Sequence, residues 1–308
     1  MLAHWHVRSA FLVSFALAVG LNAQDSGAGA GGNATTFYSN VSEVRVTFYA
    51  SDGKGRRLPV SSRDFAIVDN GVVIRNFRSF GRSNETQVDM VALVDVSDSV
   101  TPSFRVAMND VLQLVSREQA APDGNIAVLS FGGLRPAVLC ASGCRTPGAT
   151  STLLGVRSGG LTPLHDGLVF GADFVARHRR PGVRPVLILF SDGRDTISMH
   201  SAREALDAAV NSGALLYAVD TGTSGEGSDG SAFLRGISTA TGGRYFSVHD
   251  GAATILKAVL DDLSSSYVVT YEPPRRQNGF HSIRLLPTRN LNLRFHNRTG
   301  YYYEPRQR

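Results

Sequence analysis

Residues 90–99 read Met-Val-Ala-Leu-Val-Asp-Val-Ser-Asp-Ser, an apolar run followed by alternating side chains that carry oxygen. An uninterrupted apolar run bounded by polar residues is typical of a strand buried on both faces, as in the centre of a parallel sheet. The run ends at Asp95, and Ser97 and Ser99 follow at every second position. Ligand sites of open α/β sheets lie at the carboxyl ends of strands, so we expect these oxygens to converge. Such a set suits a small hard cation such as Mg²⁺.

Two later stretches have a related arrangement. Residues 186–190 form a second apolar run, and Ser-Asp-Gly follows it, which places another carboxylate, Asp192, at a strand end. Between the two runs, residues 159–164 read Gly-Gly-Leu-Thr-Pro-Leu, a glycine-rich loop entering a helix. Thr162 is predicted at the N-cap of that helix, because threonine is a favoured capping residue.

Together these three segments resemble the von Willebrand factor type A (VWA) domain, whose metal-ion-dependent adhesion site combines an Asp-x-Ser-x-Ser motif with a distant Thr and a distant Asp. The resemblance implies that five residues hold one divalent cation, Mg²⁺ or alternatively Mn²⁺ or Ca²⁺. They are Asp95, Ser97, Ser99, Thr162 and Asp192. It also implies that a carboxylate of a partner protein completes the coordination. One Asp-x-Ser-x-Ser motif alone would be weak evidence, because Ser and Asp are also common in turns and caps.

The flanking segments predict a smaller β structure. Residues 44–49 alternate between apolar and more polar side chains, which indicates a half-buried strand, and Asn70-Gly71 between apolar runs predicts a hairpin. Further strands are predicted at residues 267–271, 281–286, 291–295 and 301–303. We therefore predict an α/β fold with a doubly wound, mostly parallel sheet, inserted in a small β-sandwich formed by the N- and C-terminal strands. The hairpin and the Gly-Tyr-Tyr ending are similar to those of the secreted bacterial VWFA-related domain family.

The sequence predicts five segments. They are a signal peptide (residues 1–23), a flexible linker (24–36), N-terminal β strands (37–87), the VWA domain (88–263) and C-terminal β strands (264–308). A basic start, a short apolar stretch and Ala23 at the cleavage position favour export, so the expected location is secreted or periplasmic. Leu21 is larger than usual near the cut, which leaves an uncleaved N-terminal anchor as the alternative. No later stretch is long and apolar enough to predict a membrane span.

Cys140 and Cys144 are the two cysteines of the chain. In an exported protein, an even count at close spacing favours a disulfide. A metal pair or a redox dithiol is the alternative, although no second pair completes a zinc site and the spacing is not Cys-x-x-Cys.

The composition, charge and motifs of the chain disfavour several classes of function. The chain of 308 residues is 43% apolar and 19% charged, which is sufficient for ordinary folded cores. Its net charge of +5 is spread in short clusters, which favours a solvated surface over nucleic-acid binding. No Gly-x-Ser-x-Gly elbow or phosphate loop is present, so we do not expect an enzyme. The predicted function is an exported, metal-dependent protein-binding module for adhesion or interaction. The alternative is a structural component of an envelope or surface assembly, in which the metal only stabilises loops.

Overall fold

The structure is a computed structural model that describes residues 43–85, 87–117, 125–223 and 227–303. The predicted signal peptide and linker lie outside the described residues. The strands are β1 (Val44–Ser51), β2 (Phe65–Asp69), β3 (Val72–Ile74), β4 (Ser79–Arg82), β5 (Gln87–Asp95), β6 (Ile126–Phe131), β7 (Ala137–Cys140), β8 (Val183–Ser191), β9 (Leu215–Asp220), β10 (Tyr245–Ser247), β11 (Tyr267–Tyr271), β12 (Gly279–Pro287), β13 (Arg294–Asn297) and β14 (Gly300–Tyr303). The helices are α1 (Phe104–Ser116), α2 (Pro147–Gly155), α3 (Leu164–Arg177), α4 (Ala202–Ser212), α5 (Asp229–Thr241) and α6 (Gly251–Ser264).

The central sheet has six strands in the order β10-β9-β8-β5-β6-β7. Neighbouring strands run parallel except β7, which is antiparallel to β6. One apolar core lies between the sheet and helices α1, α2 and α6, and another between the sheet and α3, α4 and α5. Every residue of β8 is buried, as a central strand covered on both faces requires. The predicted doubly wound α/β fold is confirmed.

Two four-stranded sheets form the smaller sandwich, in the orders β13-β1-β11-β4 and β14-β12-β2-β3. Both sheets combine strands from before and after the central sheet, so the prediction that the α/β region is inserted in a sandwich is confirmed. The apolar core between them includes Phe48, Phe65 and Val269. The predicted hairpin joins β2 and β3, and its two turn residues have the positive φ values that this turn type needs, 45° at Asn70 and 81° at Gly71.

Some elements differ from the sequence-based expectation. Strand β4 was not predicted because its residues are mostly exposed and include glycine, and it is ordered by pairing with β11. Helix α2 was not predicted because it buries only Leu153, and a Thr146 cap starts it instead of an apolar pattern. The strand expected at 291–295 begins at Arg294, since Leu293 closes a turn with its N–H donating to Asn290 O.

The sequence predicted β1 as a half-buried strand, but part of the face that was expected to be exposed is buried. Tyr49 stacks on the His296 ring at 4.5 Å, and the Arg57 guanidinium lies 3.6 Å from the Tyr49 ring centre. Arg57 in turn forms an ion pair with Asp262, which is fully buried in α6. The outer face of β1 is therefore covered because the sandwich packs against the α/β region at this point.

The sulfurs of Cys140 and Cys144 lie 2.06 Å apart as a disulfide at the end of β7. Among the described residues, no helix combines the length and the apolar character that crossing a membrane would require.

Candidate metal centre

Asp95 is the last residue of β5 and is 2% exposed. Its Oδ1 accepts hydrogen bonds from the Ser97 N–H at 2.9 Å and from the Ser97 hydroxyl at 2.6 Å. Its Oδ2 accepts a hydrogen bond from the Ser191 hydroxyl at 2.9 Å. The carboxylate is therefore oriented by donors from the turn after its own strand and from the end of the neighbouring strand β8, at the carboxyl edge of the sheet.

A chain of hydroxyls extends from Asp95 towards α3. The Ser97 and Ser99 hydroxyl oxygens are 3.1 Å apart, and those of Ser99 and Thr162 are 3.5 Å apart. Ser97 and Thr162 are buried, whereas Ser99 is exposed. Four of the five predicted ligands thus form one connected set whose outer member, Ser99, is accessible from solvent.

The prediction that Thr162 caps α3 is wrong. The N-cap position is Pro163, and the first-turn N–H groups of His165 and Asp166 donate instead to the side chains of Asp195 and Ser198, at 3.2 and 3.1 Å. The Thr162 N–H donates to the Thr196 hydroxyl at 2.8 Å, and its carbonyl oxygen accepts from Thr196 N–H at 2.8 Å. These two bonds, one to the Thr196 hydroxyl and one from its backbone N–H, hold Thr162 in the loop before the helix, and the Thr162 hydroxyl lies near Ser99.

Asp192 follows β8 and is also buried. Its Oδ1 accepts a hydrogen bond from the Arg194 N–H at 3.1 Å, and its Oδ2 lies 4.0 Å from Arg194 Nε. The next residue, Gly193, has φ 76°, and a Cβ built there would lie 2.2 Å from the carbonyl oxygen of Gly230 in α5. Only glycine therefore permits the close approach of α5 that holds the loop of Asp192.

Ser191 is a site residue that the sequence analysis did not single out. Its hydroxyl donates to Asp95 and accepts from the Gly193 N–H at 3.1 Å. Its position next to Asp192 in the Ser-Asp-Gly sequence is the feature from which the sequence could have predicted it.

A third carboxylate at this edge, Asp220, is occupied by other donors. It accepts hydrogen bonds from the Tyr245 hydroxyl at 2.6 Å and from the Gly222 N–H at 2.8 Å.

The electrostatics of the site favour a cation. Burial raises the pKa of the Asp95 carboxyl to about 6, hydrogen bonds from Ser97 and Ser191 oppose this shift, and the negative charge of Asp192 adds to it. A cation placed between the two carboxylates would stabilise their charged forms. The described part of the chain contains no group of three or more His, Cys, Asp or Glu side chains that could hold a metal ion without other ligands. The donors at this site are hard oxygens, which fit Mg²⁺, Mn²⁺ or Ca²⁺ better than zinc.

The family model of the von Willebrand factor type A domain matches residues 89–262. Among solved structures, the chain is similar to a von Willebrand factor type A protein from Catenulispora acidiphila, with 12% identity, a TM-score of 0.45, and coverage of 80% of this chain and 76% of that one. It is also similar to the manganese-loaded TRAP protein of Plasmodium vivax, with 16% identity, a TM-score of 0.42, and coverage of 78% and 100%.

BatB from Bacteroides thetaiotaomicron is another similar structure, with 17% identity, a TM-score of 0.42, and coverage of 57% of this chain and 97% of that one. A comparison with curated proteins gives no match. The family model covers more than half of the chain and spans the segments that carry Asp95, Thr162 and Asp192. The chain therefore belongs to the von Willebrand factor type A domain family.

Proposed function

We propose that the chain is an exported, metal-dependent protein-binding module. One divalent cation, Mg²⁺ or alternatively Mn²⁺ or Ca²⁺, is held directly or through water by Asp95, Ser97, Ser99, Thr162 and Asp192, and a carboxylate of a partner protein completes its coordination. VWA domains are commonly metal-dependent adhesion or interaction modules. The observation that carries the proposal is that Asp95, Ser97 and Ser99, which belong to one turn, and Thr162, 63 residues after Ser99, form one hydroxyl and carboxylate network.

The charge of the donor set supports a role for an external acidic ligand. Only two of the five ligands are carboxylates, and three are neutral hydroxyls. A divalent cation on this set keeps strong attraction for a further anionic oxygen. Ser99 and Asp192 line a depression that is open to solvent. A partner carboxylate can therefore approach the cation without rearrangement of the buried strands.

Export rests on the N-terminal sequence, with its basic start, apolar stretch and Ala23. An extracytoplasmic location agrees with an adhesive or interaction role.

Metal binding is tested by titrating Mg²⁺ into EDTA-treated, dialysed protein in a calorimeter. We expect wild type to bind and Asp95→Ala to give no binding heat, with an unchanged circular dichroism spectrum. The matched control is Asp173→Ala, which removes an exposed carboxylate from α3. Wild-type affinity in Asp95→Ala would rule out this metal site.

Partner binding is tested by capture from an extracytoplasmic extract on immobilised protein, in Mg²⁺ and in EDTA. We expect capture that EDTA and Asp95→Ala both abolish. Capture that is unchanged in EDTA would refute the proposal. If Mg²⁺ raised the melting temperature but left capture unaffected, the metal would serve only to stabilise loops.

A further inference from the structure

Four large apolar side chains are exposed on three loops at the edge of the central sheet that also carries the candidate metal centre. We call them the apolar rim; they are Leu134 (84% exposed), Leu161 (52%), Ile197 (40%) and Met199 (94%). Single exposed apolar residues are normal on protein surfaces, but several on adjacent loops are typical of an interaction site. The apolar rim is therefore a candidate interaction site, whereas a single exposed apolar side chain would not be.

One side of the rim is joined by backbone hydrogen bonds. The Gly133 N–H donates to the Leu161 carbonyl at 2.8 Å, so the loop that carries Leu134 lies against the loop that carries Leu161. The second loop is also bonded to the Asp-x-Ser-x-Ser turn, because Asp98 N–H donates to the Gly160 carbonyl at 2.9 Å. Leu134 and Leu161 are therefore fixed beside the turn that presents Ser99.

The other side of the rim is joined in the same way. The Thr196 N–H donates to the Thr162 carbonyl and the Thr162 N–H to the Thr196 hydroxyl, and these two bonds place Ile197 next to the segment that follows Leu161. The Met199 N–H donates to Asp166 Oδ1 at 3.1 Å, which anchors this loop to the first turn of α3. Leu161 is consequently the middle of the rim, with Leu134 on one side and the Ile197 and Met199 loop on the other.

The positive charge at the same edge indicates which kind of ligand group binds beside the apolar rim. Arg194 is exposed, and its Nε lies 4.0 Å from Asp192 Oδ2. An acidic group that reaches the cation therefore also approaches a guanidinium. A polar acidic peptide would leave the apolar rim in water, whereas apolar side chains next to the acidic residue would cover it.

We propose that the apolar rim binds aliphatic or aromatic side chains that flank the acidic residue of the partner. The preferred partner segment therefore has an Asp or Glu with bulky apolar neighbours in sequence. This inference rests on the proposed function, because the cation must position the acidic residue beside the rim.

The probe is a displayed library of linear peptides with a central Asp or Glu and randomised flanks. The library is selected on the immobilised full chain in Mg²⁺, and bound members are eluted with EDTA. We expect enrichment of Leu, Ile, Met and Phe at the flanking positions. One enriched peptide is then synthesised for affinity measurements.

Variants at the rim test the assignment with that peptide. Leu134→Ser and Met199→Ser change the two most exposed rim residues, so folding should be unaffected, and each is expected to weaken binding about tenfold. Leu291→Ser is the matched control, because Leu291 is 79% exposed in the sandwich, and its affinity should equal wild type.

The outcomes separate the two proposals. EDTA-sensitive selection of peptides with polar flanks, or wild-type affinity in both rim variants, would overturn the rim assignment and leave metal-dependent binding standing. The absence of any EDTA-sensitive selection would contradict both. Enriched apolar flanks whose affinity falls in the rim variants but not in Leu291→Ser would establish the rim.

Discussion

The Ser191 hydroxyl donates a hydrogen bond to Asp95 Oδ2 at 2.9 Å and so links the ends of two adjacent parallel strands. Ser191 also accepts a bond from the Gly193 N–H, so one hydroxyl connects the two loops that carry the candidate carboxylate ligands. A hydrogen-bond donor that orients a metal ligand in this way strongly affects the affinity of the site for the metal.

Ser191→Ala is expected to lower Mg²⁺ affinity by about tenfold, because Asp95 loses a donor that fixes its orientation. Calorimetric titration measures this change. Ser116→Ala, which removes an exposed hydroxyl at the end of α1, is the control and should bind as wild type does. Equal Mg²⁺ affinity in wild type and Ser191→Ala would show that the link has no role in binding.

Gly193→Ala is expected to destabilise the fold by about 3 kcal/mol and to abolish Mg²⁺ binding, because the new Cβ overlaps the Gly230 carbonyl and displaces the Asp192 loop. Gly182→Ala is a close control, since Gly182 has φ 75° but no atom within 4 Å of an added Cβ. Gly182→Ala should lower the free energy of unfolding by only about 1 kcal/mol. Urea unfolding of both variants gives the comparison, and equal costs would argue against the steric explanation.

Asp262→Asn is expected to reduce the free energy of unfolding by about 3 kcal/mol. Asp262 is buried, pairs with Arg57 and Arg244 and accepts from the Tyr217 hydroxyl at 2.8 Å, so the substitution leaves two partly buried cations without their counter-charge. Asp261→Asn, at the neighbouring exposed carboxylate, should cost about 0.5 kcal/mol or less. Similar urea midpoints for the two variants would contradict this role.

His296 is expected to make stability fall in acid. Burial, followed by the nearby positive charges of Arg57, Arg244 and Arg294, lowers the pKa of His296 from 6.5 to about 4. Between these values the unfolded chain binds a proton that the folded chain does not, so stability present above pH 6.5 is lost as pH falls towards 4. His296→Gln should remove about 1 to 2 kcal/mol of this pH dependence, allowing for the partial exposure of the ring.

Urea unfolding in EDTA at pH 7.5 and pH 4.5 measures that difference. Asp95, Asp110 and Asp262 have raised pKa values in the folded state and shift stability in the opposite direction. The comparison of wild type with His296→Gln therefore isolates the histidine. An identical pH dependence in both proteins would contradict the assignment.

The features that the sequence predicted correctly depend on short-range patterns. The continuous apolar run before Asp95 is sufficient to predict a central strand, and Asn70-Gly71 is sufficient to predict the hairpin turn. The order of strands and helices then leads to the doubly wound sheet and the sandwich. Asp95 and Thr162 were predicted as metal ligands from a motif. In the structure the hydroxyl of Ser99, which follows Asp95 in the same turn, lies near the Thr162 hydroxyl.

The features that were missed depend on contacts between distant residues. The close approach of Gly193 and Gly230 and the burial of Tyr49 follow from how α5 and α6 pack, which no local pattern contains. Thr162 has the composition of a capping residue, but its bonds to Thr196 keep it out of the helix. Strand β4 has little apolar character and forms because β11 offers it a partner.

The position of β4 beside β11 has a mechanical consequence. The chain enters the α/β region after β4 and leaves it before β11, and Arg82 and Tyr267 are paired across these two strands. The Arg82 guanidinium also lies 4.7 Å from the centre of the Tyr267 ring. A force applied to the edge of the central sheet that carries the candidate ligands would reach the sandwich along the chain through these two adjacent attachment points. Because β4 and β11 are joined to the α/β region at the same end, both strands would carry this load in the same direction, and it would not peel one from the other.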